Sequence, residues 1–101
     1  MKEIIHKLDK TFESRIRLGL MSVLVMNEWV DFGTLKELLE VTDGNLASHV
    51  NSLEKKKYVE VRKQFIGRKP NTSFRATSEG TKAFQDHLKA LEALLKSNNS
   101  K

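Results

Sequence analysis

"TDGNLASHVNSLEKKK", residues 42–57, reads as a helix with an unusual outer face. Taking Leu46 as the inward reference, at 100° per residue, Val50 and Leu53 fall within about 40° of it and form the buried stripe. Ser48, Asn51, Ser52 and Lys55 lie on the opposite side, and Asn45, His49 and Lys56 on one flank. Ser and Asn are poorer helix formers than Glu or Lys by some tenths of a kcal/mol each. An exposed face built from them loses stability without return unless the short side chains have a task. Thr42 or Asp43 is suited to cap the start of the helix.

Upstream, "TLKE" (residues 34–37) has the form of a capping box and opens a short helix to about Glu40, with Leu35, Leu38 and Leu39 inward. Two helices separated by three or four residues suggest a helix-turn-helix. Further upstream, "EWVDF" (residues 28–32) favours a short strand. "ESRIRLGLMSVLVMNE" (residues 13–28) is a longer helix with two apolar stripes, Ile16, Leu20, Val23 and Leu24 on one and Leu18, Met21 and Val25 on the other. Ile5, Leu8 and Phe12 stand at helical spacing in "EIIHKLDKTF", a short N-terminal helix with one apolar edge.

Downstream, "YVEVRKQFI" (residues 58–66) and "NTSFRAT" (residues 71–77) are strand candidates, joined by a "GRKP" turn into a hairpin. "TSEGTKAFQDHLKALEALLKS" closes the chain as a helix capped by Thr77 or Ser78. Phe84, Leu88, Leu91 and Leu95 make a heptad-like seam along it, with Leu94 beside. "KSNNSK" (residues 96–101) has no apolar residue and is expected to be a flexible tail. The predicted fold is α+β and mostly helical: a winged helix-turn-helix with an extra helix at each end, one domain over residues 1–95.

With 101 residues, 39% apolar and 31% charged, the chain fits one soluble compact domain. "LGLMSVLVM" (residues 18–26) is about half the length of a membrane span, and the N-terminus lacks the features of a secretory signal. The absence of cysteine removes disulfides and thiolate metal sites and fits the cytoplasm. The net charge of +5 is concentrated: residues 55–75 hold eight cations against Glu60 alone, a net +7, leaving −2 for the remainder. Such segregation is expected of a surface that meets a polyanion.

Three pieces, "SRIRLGLMSVL", "TLKELLEVTDGNLASHVNSLEKKKYVEVRK" and "RKPNTSFRATSEGTKAF", carry a resemblance to a known family. Over roughly residues 13–95 the sequence resembles the small stand-alone winged-helix transcriptional regulators related to the MarR and ArsR groups. Its pattern "NL..H...LE...YV" runs into the wing, and "T.EG...F" follows it. The chain departs from that pattern at Lys57, where these proteins often carry Gly. The resemblance implies a homodimer bound to operator double-stranded DNA.

The residues support that reading. Short polar side chains reach base edges without colliding with the groove walls, and Asn can pair bidentately with adenine. Hydroxyls and helix N-terminal N–H groups contact phosphates. The DNA-contacting set expected on the helix is Thr42, Gly44, Asn45, Ser48, His49, Asn51, Ser52, Lys55 and Lys56. On the hairpin it is Arg62, Lys63, Arg68, Lys69, Asn71 and Arg75, with Arg68 or Lys69 placed for the minor groove. A dimer interface is expected from Ile5, Leu8 and Phe12 with Phe84, His87, Leu88, Leu91, Leu94 and Leu95. Dimerisation would suit a palindromic operator and a repressor that blocks its site. His6, His49 and His87 form no ligand set, so neither metal nor cofactor is expected. No phosphate loop, nucleophile elbow or carboxylate pair points to an enzyme. A small effector would bind in a cleft between the terminal helices and the winged core, although no convergent polar set marks one. The alternative is a winged-helix module that binds protein instead of DNA; it calls for an exposed apolar patch on residues 42–57, where the sequence is polar.

Overall fold

A computed structural model describes residues 1–98. The element order is α1 (Lys2–His6), a 3-10 turn (Lys10–Phe12), α2 (Arg15–Met26), β1 (Val30–Asp31), α3 (Phe32–Leu39), α4 (Asp43–Lys55), β2 (Val59–Ile66), β3 (Lys69–Ala76) and α5 (Ser78–Asn98). The three strands form one antiparallel sheet in the order β1-β3-β2. This is the winged helix arrangement expected from the sequence.

The core is one cluster. Leu20, Met21 and Leu24 of α2 meet Leu35 of α3, Leu46, Val50 and Leu53 of α4, and Val59 and Phe74 of the sheet. Both stripes of α2 are used: Leu18, Val23 and Val25 pack partly buried against the same cluster. Leu35 is fully buried, but Leu38 is 60% exposed, against its expected inward position. Phe32, Leu35 and Leu39 set the inward side of α3, and Leu38 falls about 60° beyond Leu35, away from the other two. The cap of α3 is Asp31, whose carboxylate accepts the Thr34 N–H at 2.7 Å, so the helix starts at Phe32 and no capping box forms at Thr34. The early start leaves only Val30 and Asp31 in β1, pairing with Phe74 and Ser73. In the same way α2 is capped by Ser14 and is shorter at both ends than expected.

α3 and α4 both end in left-handed residues that are not glycine, Glu40 (φ 52°) and Lys57 (φ 66°). At the second, the Tyr58 N–H donates to Leu53 C=O at 3.0 Å and the Lys57 N–H to Glu54 C=O at 2.9 Å. These two bonds define a Schellman termination, so Lys57 occupies the position that usually holds Gly.

The wing turn is tighter than expected. Ile66 pairs with Lys69, which leaves Gly67 and Arg68 as a two-residue turn with Gly67 at φ 65°. Pro70 is tolerated inside β3 because β1 reaches only Ser73 and Phe74, and its ring nitrogen has no donor to lose on that open side.

The N-terminal segment is not one helix. α1 stops at His6, and Asp9 caps the 3-10 turn by accepting the Thr11 N–H at 2.9 Å. That turn drives Phe12 into the protomer's own core, 1% exposed, stacked on Tyr58 and edge-on to Phe84. Thr77, not Ser78, caps α5, accepting the Gly80 N–H at 2.8 Å. α5 runs into the expected tail: Lys96, Ser97 and Asn98 are helical, and Asn98 donates from its side chain to Leu94 C=O. Residues 99–101 of the expected tail lie outside the described residues.

Candidate nucleic-acid interface

α4 is positioned by the Thr42 cap, whose hydroxyl accepts the Asn45 N–H at 3.1 Å. Three buried residues then hold it down: Leu46, Val50 and Leu53. That fixes what faces outward. Gly44, Ser48, Asn51 and Lys55 recur at spacings of four, three and four, a single exposed ridge along the helix. Asn45 is exposed and Ser52 half-buried on the adjacent row. A Cβ at Gly44 would meet nothing within 4 Å, so the ridge is flat at its first turn.

The flank of α4 behaves differently. The Arg17 guanidinium of α2 donates from Nε to His49 Nδ1 at 3.0 Å. Burial first, and then the neighbouring Arg17 charge, push the His49 imidazole below its ordinary range. His49 accepts from Arg17 at Nδ1, which holds the ring in a contact within the protomer and leaves its Nε2 edge for any outside partner. Lys56 also turns away from the ridge: its ammonium donates to Thr11 Oγ1 at 2.8 Å and lies 5.8 Å from the Tyr58 ring centre.

The hairpin sorts its cations by strand parity. Val61 pairs with Phe74 on the core side, so Lys63, Phe65, Pro70 and Thr72 share that face. Lys63, Pro70 and Thr72 join Ala47, Asn51 and Glu54 in lining an open groove of about 790 Å³ between α4 and the wing. Arg62, Asn71 and Arg75 stand on the other face. There the Arg62 and Arg75 guanidiniums sit over the Trp29 ring, 4.3 and 4.8 Å from its centre. Arg75 also pairs with Glu60 at 2.7 Å. Arg68 and Lys69 are exposed at the tip.

The structure thus gathers Gly44, Asn45, Ser48, Asn51, Ser52, Lys55, Lys63 and the Arg68–Lys69 tip on or beside one surface. It directs His49, Lys56, Arg62 and Arg75 into contacts within the protomer. Ala47 lies outside the expected set. It is half-buried beside Asn51, at about 100° from Leu46 on the helical wheel, a position from which a methyl group can meet the methyl of thymine.

The expected dimer residues also divide. Phe12, Phe84 and His87 are 1%, 5% and 4% exposed within a single protomer, and they cannot add area to an interface. They form a cluster instead, with Phe12 5.3 Å from His87, and His87 Nδ1 accepting the Asp9 N–H at 3.0 Å. Leu88, Leu91 and Leu95 of α5 are 44%, 38% and 72% exposed, and Ile5 of α1 is 51% exposed. Leu8 and Leu94 are half-buried. A cleft of about 450 Å³ between α1 and α5 is lined by Ile4, Lys7, Asp86, Lys89, Ala90 and Ala93. Among the described residues no group of three or more His, Asp or Glu could hold a metal ion, and no helix is long and apolar enough to cross a membrane.

Comparison with known proteins bears on the family and the fold. Residues 16–95 match the family described as winged helix DNA-binding domain. A protein of Methanocaldococcus jannaschii is 35% identical over 79 residues, which span 78% of this chain and 86% of that protein. Among solved structures, the transcriptional regulator homologue from Pyrococcus horikoshii superposes with a TM-score of 0.87 at 27% identity, covering 99% of this chain and 100% of that one. The MepR–DNA complex of S. aureus superposes with a TM-score of 0.75 at 14% identity, covering 97% of this chain and 81% of that one. Over the span that carries α2 to α5, the chain belongs to the winged helix DNA-binding domain family, in the fold of the MarR-type regulators.

Proposed function

We propose that the protein is a homodimeric, sequence-specific regulator of transcription that acts in the cytoplasm and represses by occupying its operator. The observation that carries this reading is the outer ridge of α4. Gly44, Ser48, Asn51 and Lys55 are exposed, short or flexible, and free of large apolar groups. A helix presenting such a ridge fits the major groove, where Asn51 would pair with an adenine edge and Ser48 with a base or phosphate. Lys63 on the near side of the wing would meet the flanking phosphates, and the Arg68–Lys69 tip the neighbouring minor groove. The same ridge argues against a protein-docking role, which would need an apolar patch there. An effector, if the regulator has one, would act at the α1–α5 cleft, where a bound molecule would shift the terminal helices against the winged core.

The test is binding to duplex DNA as salt is raised. The slope of log affinity against log salt becomes shallower by about 0.9 for every phosphate that the protein no longer neutralises. Arg68→Ala with Lys69→Ala is expected to weaken binding to all sequences and flatten that slope. Asn51→Ala is expected to relax base preference at one position at a cost of about 1–3 kcal/mol. Absence of duplex binding at low salt would sink the proposal.

A further inference from the structure

The wing tip carries a feature that phosphate binding does not use. Phe65 and Ile66, at the end of β2, are 73% and 60% exposed. Both belong to a hairpin that needs no apolar side chain there, since the core is filled below by Val59, Val61 and Phe74. Charged or polar residues would protect an exposed strand end better. Around them stand Lys63, Arg68 and Lys69, and no acidic residue occurs between Glu60 and Glu79.

We propose that Phe65, with Ile66 next to it on the opposite face of the hairpin tip, is an apolar wedge that enters the minor groove beside the α4 contact and unstacks a base step, bending the operator. The proposal rests on the DNA-binding reading above and adds a deformation step to it. Three observations on the molecule choose DNA as the occupant. Strand parity puts Phe65 on the same sheet face as Lys63, the face that shares the groove with Asn51 of α4. Phe65 therefore stands on the wing face turned toward α4, beyond the residues that line the groove. The cations flanking the two side chains are complementary to a polyanion. Two side chains at a hairpin tip are also far short of the roughly 800 Å² per partner that a stable second copy would need. Apolar side chains of this kind, inserted between base steps, kink duplexes toward the major groove. The two-residue Gly67–Arg68 turn keeps the hairpin narrow enough to approach the minor groove.

The experiment uses the full chain and a duplex isolated from a randomised pool by selection on the wild-type protein. 2-Aminopurine is placed at successive steps to report unstacking, and dyes at the duplex ends report bending. The wild type is expected to raise the 2-aminopurine signal at one step outside the α4 contact and to shorten the end-to-end distance. Phe65→Ala with Ile66→Ala is expected to abolish both signals and weaken binding by about tenfold or more. Its salt slope should stay unchanged, because every cation is retained. Phe65→Trp should retain the kink. The thermal midpoint of each variant should match wild type, since both side chains stand in solvent. A wild-type complex that is straight and fully stacked, or a double variant that binds as tightly as wild type, would overturn the wedge and leave the DNA-binding reading intact. A wild type that selects no duplex overturns both. Loss of binding to phosphatidylserine vesicles in the double variant, with DNA binding unchanged, would overturn the wedge in favour of a lipid surface.

Discussion

Gly80 shows how one residue can be required by a contact far along the chain. A Cβ on it would lie 2.8 Å from the Tyr58 carbonyl carbon and Cα, and nearer still to the carbonyl oxygen. That neighbour is backbone, held in place by the Thr77 N–H, which donates to Tyr58 C=O at 3.0 Å. Thr77 Oγ1 in turn donates to Lys57 C=O at 2.7 Å while accepting the Gly80 N–H. Gly80→Ala cannot relax by turning a side chain, so α5 must move as a body. We expect a destabilisation of about 3 kcal/mol, read as a lower midpoint in urea denaturation; a variant within about 1 kcal/mol of wild type would mean that the packing there is not tight. The "T.EG...F" pattern is legible in the sequence, and so is the departure at Lys57. What the pattern fixes is not, because the Tyr58 backbone lies 22 positions before Gly80 and only the folded chain brings them together.

Side-chain hydrogen bonds join three elements where the end of α4 passes the N-terminal turn. Tyr58 OH donates to Asp9 Oδ2 at 2.9 Å, and the Asp9 N–H donates to His87 Nδ1 at 3.0 Å. Three segments, the 3-10 turn, the start of β2 and α5, are tied by one residue. Burial raises the Tyr58 hydroxyl first, and the Asp9 hydrogen bond and charge add to it, pushing the group up to about 12 from 10.0. Burial works against the Asp9 carboxylate, but hydrogen bonds from Thr11 and Tyr58 and the Lys56 charge outweigh it and hold Asp9 below its ordinary 3.8. Linkage between titration and folding sets the direction of each effect. Tyr58 is raised when folded, so its contribution is full below about pH 10 and disappears as pH rises toward about 12. Asp9 is lowered, so its contribution is present above about pH 4 and disappears in more acid solution. Thermal midpoints measured against pH should therefore fall less steeply at the alkaline end in Tyr58→Phe than in wild type, and less steeply at the acid end in Asp9→Asn. Parallel curves would show that the bond does not couple to folding. Nothing in the linear pattern marks this junction. Ile5, Leu8 and Phe12 have helical spacing, and only the side-chain cap at Asp9 turns the chain so that Phe12 leaves the expected apolar edge. The α4 stripe, in contrast, is readable because Leu46, Val50 and Leu53 follow the helical period without interruption.

At the scale of the whole molecule, a winged core occupies one end and α5 leaves it. α5 has 21 residues, about 31 Å at the helical rise, and its inward residues, Gly80, Phe84, His87 and Ala90, are confined to its first two-thirds. Beyond them Leu91 and Leu95 continue the direction of Phe84 with no core beneath. With Leu88 they make an apolar stripe about 60° wide on the helical wheel, while α1 meets α5 along Asp86, Lys89, Ala90 and Ala93 on another side. The seam is legible as a heptad pattern; which of its members the protomer itself consumes is not, because Phe84 and Leu91 differ by two turns and nothing in the pattern marks where the core ends. The charge pattern has the same limit: the +7 segment is evident, but parity sends Arg62 and Arg75 to Trp29 and leaves Lys63 beside α4. If the stripe is the dimer seam, two copies of α4 would be presented to half-sites about 34 Å apart. Leu88→Glu with Leu95→Glu places charge on exposed positions of one protomer, so the fold should survive, with unchanged far-ultraviolet circular dichroism. Light scattering should then report a monomer where wild type is a dimer. Affinity for a selected palindromic duplex should fall by about 100-fold or more, because the second half-site no longer gains from tethering, while affinity for a single half-site stays the same. A wild type that is already monomeric at micromolar concentration, or a double variant that remains dimeric, would remove the seam from α5 and with it the symmetric operator.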